Sequence, residues 1–341
     1  MSMRRFATYV VIPSVTTVTA ASITYSRHVA AGAPSPNSGA PMQADVFNAL
    51  QDQAALQRAL VSKAALASSG VTLLALSSCP YCMKIKTLLD VHRVPYETVA
   101  VDPFNAIELE RSPYRFLPQL QFRAVTTTAS LTPPSTARAA ETNDASKGEK
   151  DGSKAADDGL SLMRRGPLIV DSDVIVQRLA APLGYESDLV NPALRPVREK
   201  INTEVSRAVF VLMNGTLSSS WVSYPLLSDA RYRHTLYRVV GSTALWLLAT
   251  LKLRKRLGGL PADEALKAAM KPFIDGLGRN GGGGSVATTY FGGTRPNLVD
   301  IELYGALRSG LGHPNVQTAL GEAGLSQWLA AMDAAVRSPS V

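Results

Sequence analysis

Two cysteines are the residues of this chain best suited to chemistry. They lie three positions apart in Cys79-Pro80-Tyr81-Cys82, and the sequence contains no other cysteine. An apolar run, residues 71–76, precedes them, which indicates a strand followed by a helix that begins at Pro80. The N–H groups and dipole at a helix start stabilise a thiolate. We therefore predict that Cys79 is the reactive thiol and that Cys82, one turn further on, is shielded and resolves disulfides.

Two other roles for a cysteine pair fit the sequence poorly. A zinc site takes about four ligands, and the histidines, at positions 28, 92, 234 and 313, form no spaced pair. A structural disulfide between positions so close in sequence closes a very small loop and restricts the unfolded chain little. Redox chemistry or thiol binding is therefore the favoured role, and we expect no bound metal.

Composition indicates the class of protein and its destination. With 341 residues, 46% of them hydrophobic, the chain is long enough for two packed domains. Its net charge is +8, but the cations form no nucleic-acid-binding motif with aromatic residues, so no nucleic-acid partner is expected. Residues 1–44 contain three arginines and no acidic residue, which is typical of a mitochondrial presequence. A membrane anchor at residues 6–26 is the second interpretation, and a secretory signal the third.

The first part of the chain alternates strands and helices. After a leading helix at residues 46–67, the predicted elements are strand 71–76, helix 80–92, strand 96–101, helix 104–111, strands 117–122 and 167–170, and helix 171–181. This order is that of the thioredoxin fold. Residues 126–165 are rich in small and charged residues and poor in large apolar ones, so we predict a disordered insertion at a hairpin tip.

The second part of the chain has the periodicity of an all-helical domain. The predicted helices are 197–212, 230–255, 262–277, 300–309 and 326–336. Residues 239–251 are apolar but too short to span a bilayer, which favours a buried bundle helix. The basic residues that follow, Lys252, Arg254, Lys255 and Arg256, leave a membrane-surface patch as the alternative. We assign residues 1–44 to the targeting segment or anchor with a linker, 45–69 to the leading helix, 70–190 to the thioredoxin/glutaredoxin-like domain and 191–341 to the helical domain.

Five blocks of sequence resemble the membrane-associated prostaglandin E synthase type 2 family. They are CPYCMKIK from Cys79, PYE from Pro95, SPYRFLP from Ser112, DSDVI from Asp171, and YFGGTRPNLVD from Tyr290 with Tyr304-Gly305 after it. The resemblance covers residues 71–125 and 167–336, and the order and spacing of the blocks make it specific. It implies an α/β glutaredoxin-like domain followed by an all-α domain like the C-terminal domain of glutathione transferases.

The resemblance also implies a glutathione site. Cys79 matches the family's reactive cysteine. Pro118 matches a cis proline that exposes the backbone of Leu117 to the cysteinyl part of glutathione. Asp171 and Ser172 match a pair at a helix start that holds the γ-glutamyl end, where the helix N-terminus suits the carboxylate and Asp171 the ammonium group. Simple capping of the helix by this pair is the alternative.

The function implied by the resemblance is isomerisation of prostaglandin H2 to prostaglandin E2 with the help of a thiol. Tyr81 either donates a hydrogen bond to a substrate oxygen or merely covers the thiol. Glutathione is the implied cofactor and a homodimer the implied assembly; haem is not expected, because residues 211–221 contain no histidine. A general glutathione-dependent oxidoreductase or transferase is the second hypothesis, and a non-catalytic glutathione-binding or tethering protein the third. Asn297 and Asp300 match an N-capping box, which is a folding signal.

Overall fold

The computed structural model describes seven stretches of the chain. They are residues 43–76, 79–102, 107–109, 114–123, 166–228, 233–280 and 289–337. The predicted insertion, and all but the last two residues of the predicted targeting segment, lie outside these stretches. Those two expectations therefore stay predictions.

The chain enters the sheet through three short helices. They are α1 (Ala44–Ala49), α2 (Gln53–Leu60) and α3 (Lys63–Ser68). The Asp52 side chain accepts a hydrogen bond from the N–H of Ala55 at 2.9 Å, and Ser62 accepts one from the N–H of Ala65 at 3.1 Å. Each of these caps fixes the start of a new helix. The prediction of one continuous leading helix is therefore wrong.

A mixed four-stranded sheet forms the centre of the first domain. Its strands are β1 (Val71–Ala75), β2 (Tyr96–Ala100), β3 (Gln119–Phe122) and β4 (Leu168–Val170), in the order β2-β1-β3-β4. β2 runs parallel to β1, and the other two pairs are antiparallel. Helix α4 (Pro80–His92) joins the parallel strands, and α5 (Ser172–Leu183) follows β4. This arrangement confirms the thioredoxin-like α/β fold. Of the predicted helix 104–111, only a 3₁₀ turn at Ile107–Leu109 is described.

The rest of the described chain is helical, as predicted. The helices are α6 (Glu186–Val190), α7 (residues 195–214, π-helical at Ile201–Val205), α8 (Leu217–Leu227), α9 (Thr235–Leu257), α10 (Ala262–Asn280), α11 (Leu298–Arg308), α12 (Pro314–Glu322) and α13 (Ser326–Arg337). The sequence does not predict α6, α8 or α12. Helix α11 is buried from Leu298 to Leu307, and the predicted capping box of Asn297 and Asp300 is present at its start.

Helix α4, which carries the cysteines, packs closely against α11. A Cβ atom added to Gly305 would lie 2.5 Å from the Cα of Lys84, so the glycine permits the close approach of the two helices. An ion pair joins Arg308 Nη1 to Asp90 Oδ2 at 2.6 Å. The position of the cysteine helix is therefore set by the helical domain as well as by the sheet.

Helix α9 differs from its prediction in burial. By length and composition alone it is apolar enough to cross a membrane, and only 28% of its most apolar 18-residue window is buried. Ala249 faces the interior, whereas Leu236 and Leu251 are exposed. Among the described residues, neighbouring helices cover one face of α9, so the prediction of a buried bundle helix holds for that face and not for the outer one.

Candidate thiol site

The register of the sheet brings the predicted site residues to one edge. Gln119, the first residue of β3, pairs with residues close to the C-terminal ends of β1 and β4. Cys79 follows β1, Pro118 directly precedes β3, and Asp171 directly follows β4. These three positions therefore lie at the same end of adjacent strands.

Cys79 is the N-cap residue of α4, and Pro80 occupies the first turn. Its thiol is free and half-buried. The pKa of Cys79 is lowered, first by the hydrogen bond from the Cys82 thiol, then by the backbone N–H groups of Cys82 and Tyr81 and by the charge of Lys84, against the opposing effect of burial. The start of α4 thus favours a thiolate at this position.

Cys82 has the opposite environment. It is fully buried. Burial, followed by the hydrogen bond and charge of Cys79, raises the pKa of Cys82 well above its usual value. The pair therefore combines a half-buried thiol whose pKa is lowered with a buried thiol whose pKa is raised. This is the arrangement that attack by Cys79 and resolution by Cys82 require.

Tyr81 lies at the solvent side of the site, with 42% of its surface exposed. Burial of its hydroxyl, then the charges of Cys79 and Asp173, raise the pKa of Tyr81, while the charge of Arg207 lowers it. The phenol consequently stays protonated at neutral pH and can donate a hydrogen bond. Arg207, on α7, brings a cation from the helical domain towards Tyr81. The sequence does not identify it, because its approach depends on how the domains pack.

The loop before β3 presents Leu117 and Pro118. The peptide bond between them is cis, the conformation that the resemblance implies. The Gln119 side-chain amide donates to the backbone oxygens of Tyr114 at 2.9 Å and Phe116 at 3.0 Å. These two bonds fix the loop, because they tie its backbone to the first residue of the strand.

Asp171 caps α5, so the capping alternative is realised. Its Oδ1 accepts from the N–H groups of Asp173 at 2.8 Å and Val174 at 3.3 Å. Asp171 also has φ of +75°, a left-handed conformation that is rare for a residue with a side chain. Ser172, which follows it, is buried. Both capping bonds use Oδ1, which leaves the Oδ2 side of the carboxylate for a second partner.

A buried lysine lies behind the site. Lys84 Nζ contacts Asp173 Oδ1 at 2.6 Å and Asn202 Oδ1 at 3.3 Å, and only 2% of the lysine side chain is exposed. Asn202 belongs to α7, so the lysine joins both domains next to the start of α5. The sequence signal is a lysine on the inner face of α4, beside Ile85. The charge of Lys84 does not by itself identify Asp173 and Asn202 as its partners.

Comparisons with known proteins identify a matching family model and several similar proteins. Residues 71–122 match the family model described as Glutaredoxin. The chain is 25% identical over 289 residues to prostaglandin E synthase 2 of Danio rerio, covering 79% of this chain and 72% of that protein. It is 40% identical over 50 residues to prostaglandin E synthase 2 of Mus musculus, covering 15% and 13% of the two chains. A glutathione S-transferase from Pseudomonas fluorescens is 16% identical with a TM-score of 0.42, covering 76% of this chain and 93% of that chain.

The matches with the two synthases confirm the resemblance that the sequence blocks indicate. The α/β part of the chain is glutaredoxin-like in both sequence and strand order. The chain thus carries a glutaredoxin-like domain followed by a helical domain, and most of its length is similar to prostaglandin E synthase 2.

Proposed function

We propose that this protein is a glutathione-dependent enzyme in which the Cys79 thiolate carries out the chemistry. The observation that carries the proposal is the environment of Cys79, which is half-buried, caps a helix and has a lowered pKa. A thiolate at neutral pH is the reactive form of cysteine. The buried thiol of Cys82 can donate a hydrogen bond to it or close a disulfide with it.

Glutathione would bind along the strand ends beside Cys79. The backbone of Leu117, next to the cis bond, would pair with the cysteinyl part, while Asp171 meets the ammonium group and the N–H groups at Ser172 meet the carboxylate. The positive φ of Asp171 supports this assignment. Residues held in sparsely populated backbone conformations cluster at ligand sites.

Replacing Asp171 with asparagine should weaken glutathione binding roughly tenfold or more, because a hydrogen bond to a charged group is lost. Asparagine tolerates a positive φ and keeps a capping oxygen, so thermal stability should change little. Calorimetric titration beside a thermal melt measures both quantities. The matched control is Asp52→Asn, which alters the cap of α2 and should leave the affinity for glutathione unchanged. Unaltered affinity in Asp171→Asn would assign Asp171 to capping alone.

The specific reaction we propose is isomerisation of prostaglandin H2, supported by similarity to prostaglandin E synthase 2. The thiolate of Cys79, or of bound glutathione, attacks the endoperoxide oxygen on C9. An S–O bond forms, the O–O bond breaks, and the oxygen on C11 takes a proton. Loss of the proton on C9 then forms the ketone as the S–O electrons return to sulfur. The thiol is regenerated, and no net oxidation or reduction occurs.

A second candidate is general disulfide exchange with glutathione, which the adjacent Cys82 favours. A mixed disulfide on Cys79 could be released by Cys82 or by a second glutathione. A purified full-length protein given glutathione, with prostaglandin H2 or a glutathione mixed disulfide as substrate, separates the candidates. Faster Cys79-dependent turnover of prostaglandin H2 supports the isomerase. Faster disulfide exchange supports the oxidoreductase, and glutathione binding without turnover of either substrate supports the tethering protein.

The N-terminal segment is proposed to direct the protein to mitochondria, because residues 1–44 combine three arginines with a lack of acids. Fusion of residues 1–44 to a fluorescent reporter should place the reporter in that organelle. The same fusion with Arg4, Arg5 and Arg27 replaced by glutamine is the matched control and should remain cytosolic. A cytosolic wild-type fusion would contradict the proposal. Carbonate extraction of the full protein then distinguishes an inserted anchor from a soluble form.

A further inference from the structure

Helices α8 and α9 form a tightly packed hairpin on the helical domain. A Cβ atom added to Gly241 of α9 would lie 1.9 Å from the Tyr224 ring of α8, so the two helices are in close contact. The Arg238 guanidinium lies 4.2 Å from the centre of the Trp221 ring and donates to the Trp221 carbonyl at 3.0 Å. The two helices therefore behave as one unit.

The outer faces of this hairpin are apolar. Exposed apolar side chains on α8 are Leu217, Trp221, Val222 and Leu226; those on α9 are Leu236, Tyr237, Val239 and Leu251. Leu236 is 69% and Leu251 63% exposed. We call these eight residues, with the cations described next, the hairpin surface. Exposed apolar side chains grouped in this way mark a surface that meets another molecule or a membrane.

Cations stand at both ends of the apolar stretch of α9. Residues 239–251 carry no charge, and they are bounded by Arg238 on one side and by Lys252, Arg254, Lys255 and Arg256 on the other. Arg233 precedes the helix. There is no aspartate or glutamate in residues 206–228 or 233–257. The two helices therefore combine exposed apolar residues with positive charge, and Asp229, in the connection between them, is the one acidic residue of the sequence from 206 to 257.

We propose that the hairpin surface docks the helical domain onto a bilayer that contains anionic phospholipids. The uncharged stretch of α9 is about 20 Å long at 1.5 Å per residue, which is too short to span the hydrocarbon core. A helix with an exposed apolar face and flanking cations lies in the interface instead, with its apolar side chains among the acyl chains and its cations at the headgroups. Trp221, held under Arg238, suits the boundary between these layers.

The charge of the hairpin surface distinguishes an anionic bilayer from two other partners, a second copy of the chain and a nucleic acid. A symmetric pairing of two copies through the hairpin surface would bring cations against cations, because both ends of the hairpin are basic. A nucleic acid would match the cations but would leave Leu236 and Leu251 in water. An anionic bilayer satisfies both the charged and the apolar residues. A homodimer formed through another surface would leave the hairpin available.

The hairpin also borders the thiol site. Arg207 Nη1 donates to the backbone oxygen of Arg256 at 3.4 Å, and the charge of Arg207 acts on Tyr81. Docking through the hairpin would therefore hold the thiol site near the membrane surface. For the lipid substrate of the proposed function, this shortens the path from the bilayer to Cys79. Vesicle binding itself does not depend on that function, so the two proposals fail separately.

Co-sedimentation of the full-length protein with vesicles tests the docking. Phosphatidylcholine vesicles that contain phosphatidylserine should bind the protein more tightly than pure phosphatidylcholine vesicles. The variant Lys252→Glu/Arg254→Glu/Lys255→Glu should lose affinity on the order of a hundredfold. The control Arg58→Glu/Arg178→Glu/Arg195→Glu changes the net charge by the same amount at exposed positions outside the hairpin. It should lose far less affinity for the vesicles. Equal affinities of the two variants would overturn the proposal, since both retain the N-terminal segment.

A second measurement locates the contact. The variant Trp246→Phe keeps Trp221 and the buried Trp328. Its fluorescence should be quenched by brominated lipid in anionic vesicles, whereas Trp221→Phe/Trp246→Phe should show no quenching. Absence of quenching in the first variant would refute the docking. The variant Leu236→Ser/Val239→Ser/Leu251→Ser gives a further test. If it changes from a dimer to a monomer while its affinity for vesicles is unchanged, the hairpin surface is a contact between two copies and the docking proposal is refuted.

Discussion

Replacement of Cys79 with serine should abolish thiol-dependent turnover, because a serine hydroxyl at the start of α4 stays protonated and is a weak nucleophile. The fold should tolerate the change, since Cys79 is the N-cap residue of α4 and serine is a preferred residue at that position. Turnover of the glutathione mixed disulfide and of prostaglandin H2 should both fall by orders of magnitude. Residual activity close to that of the wild type would show that Cys79 is not the nucleophile.

The neighbouring thiol provides a graded test of the same site. Cys82 makes the largest contribution to the lowered pKa of Cys79, through its hydrogen bond. Cys82→Ser retains a donor, whereas Cys82→Ala removes it, so the pKa of Cys79 should be higher in the alanine variant. The pH profile for alkylation of Cys79 should accordingly shift to higher pH in Cys82→Ala and shift less in Cys82→Ser. Monothiol chemistry should survive in both.

The outcome that would reverse these roles is also measurable. In the variant Cys79→Ser, the remaining Cys82 should react slowly with an alkylating reagent at neutral pH, because it is buried and its pKa is raised. Faster alkylation of Cys82 than of Cys79 would mean that the resolving and attacking thiols are assigned the wrong way round.

Local signals were sufficient for the glutaredoxin-like part of the fold. The helix over residues 80–92 is predicted from its start at Pro80, and the structure gives it the same limits, with Arg93 ending it in the left-handed conformation. The apolar runs give the four strands to within two residues at each end. Both faces of β1 and β3 are buried, but β3 alternates Gln119 and Gln121 with Leu120 and Phe122, so the sequence does not show the burial of its polar face.

Long-range packing explains what the sequence could not give. Helix α8 contains a run of serines, which have low helix propensity, and it is stabilised by contact with α9. The sequence therefore has no periodic pattern that predicts this helix. Which face of α9 is exposed depends on which helices pack against it, and the sequence of α9 alone does not specify them. Arg207 and Lys84 enter the site through contacts between domains. Lys84 and its partner Asn202 are more than a hundred residues apart in the sequence, and Arg207 and Tyr81 lie on separate helices.

The capping residue Asp300 should have the largest effect on stability among the buried polar groups of the helical domain. It is fully buried. Its Oδ1 accepts from the N–H of Phe291 at 2.9 Å and from Trp328 Nε1 at 2.8 Å, and its Oδ2 accepts from the N–H groups of Gly292 at 3.1 Å and Asn297 at 3.0 Å. One carboxylate thus joins a loop, the start of α11 and the indole of α13.

Replacing Asp300 with alanine leaves four buried donors without this acceptor. An unsatisfied buried donor costs about 1–3 kcal/mol, so the loss should reach about 4 kcal/mol or more, a large part of the roughly 5–15 kcal/mol that stabilises a typical domain. Urea unfolding measures the change. The control Asp52→Ala removes one exposed cap and should cost only about 1 kcal/mol. Because the groups that lower the pKa of Cys79 all belong to α4, this pKa should change little in any folded fraction of the variant. Equal destabilisation by the two substitutions would mean that the loop, and not the carboxylate, holds α11 in place.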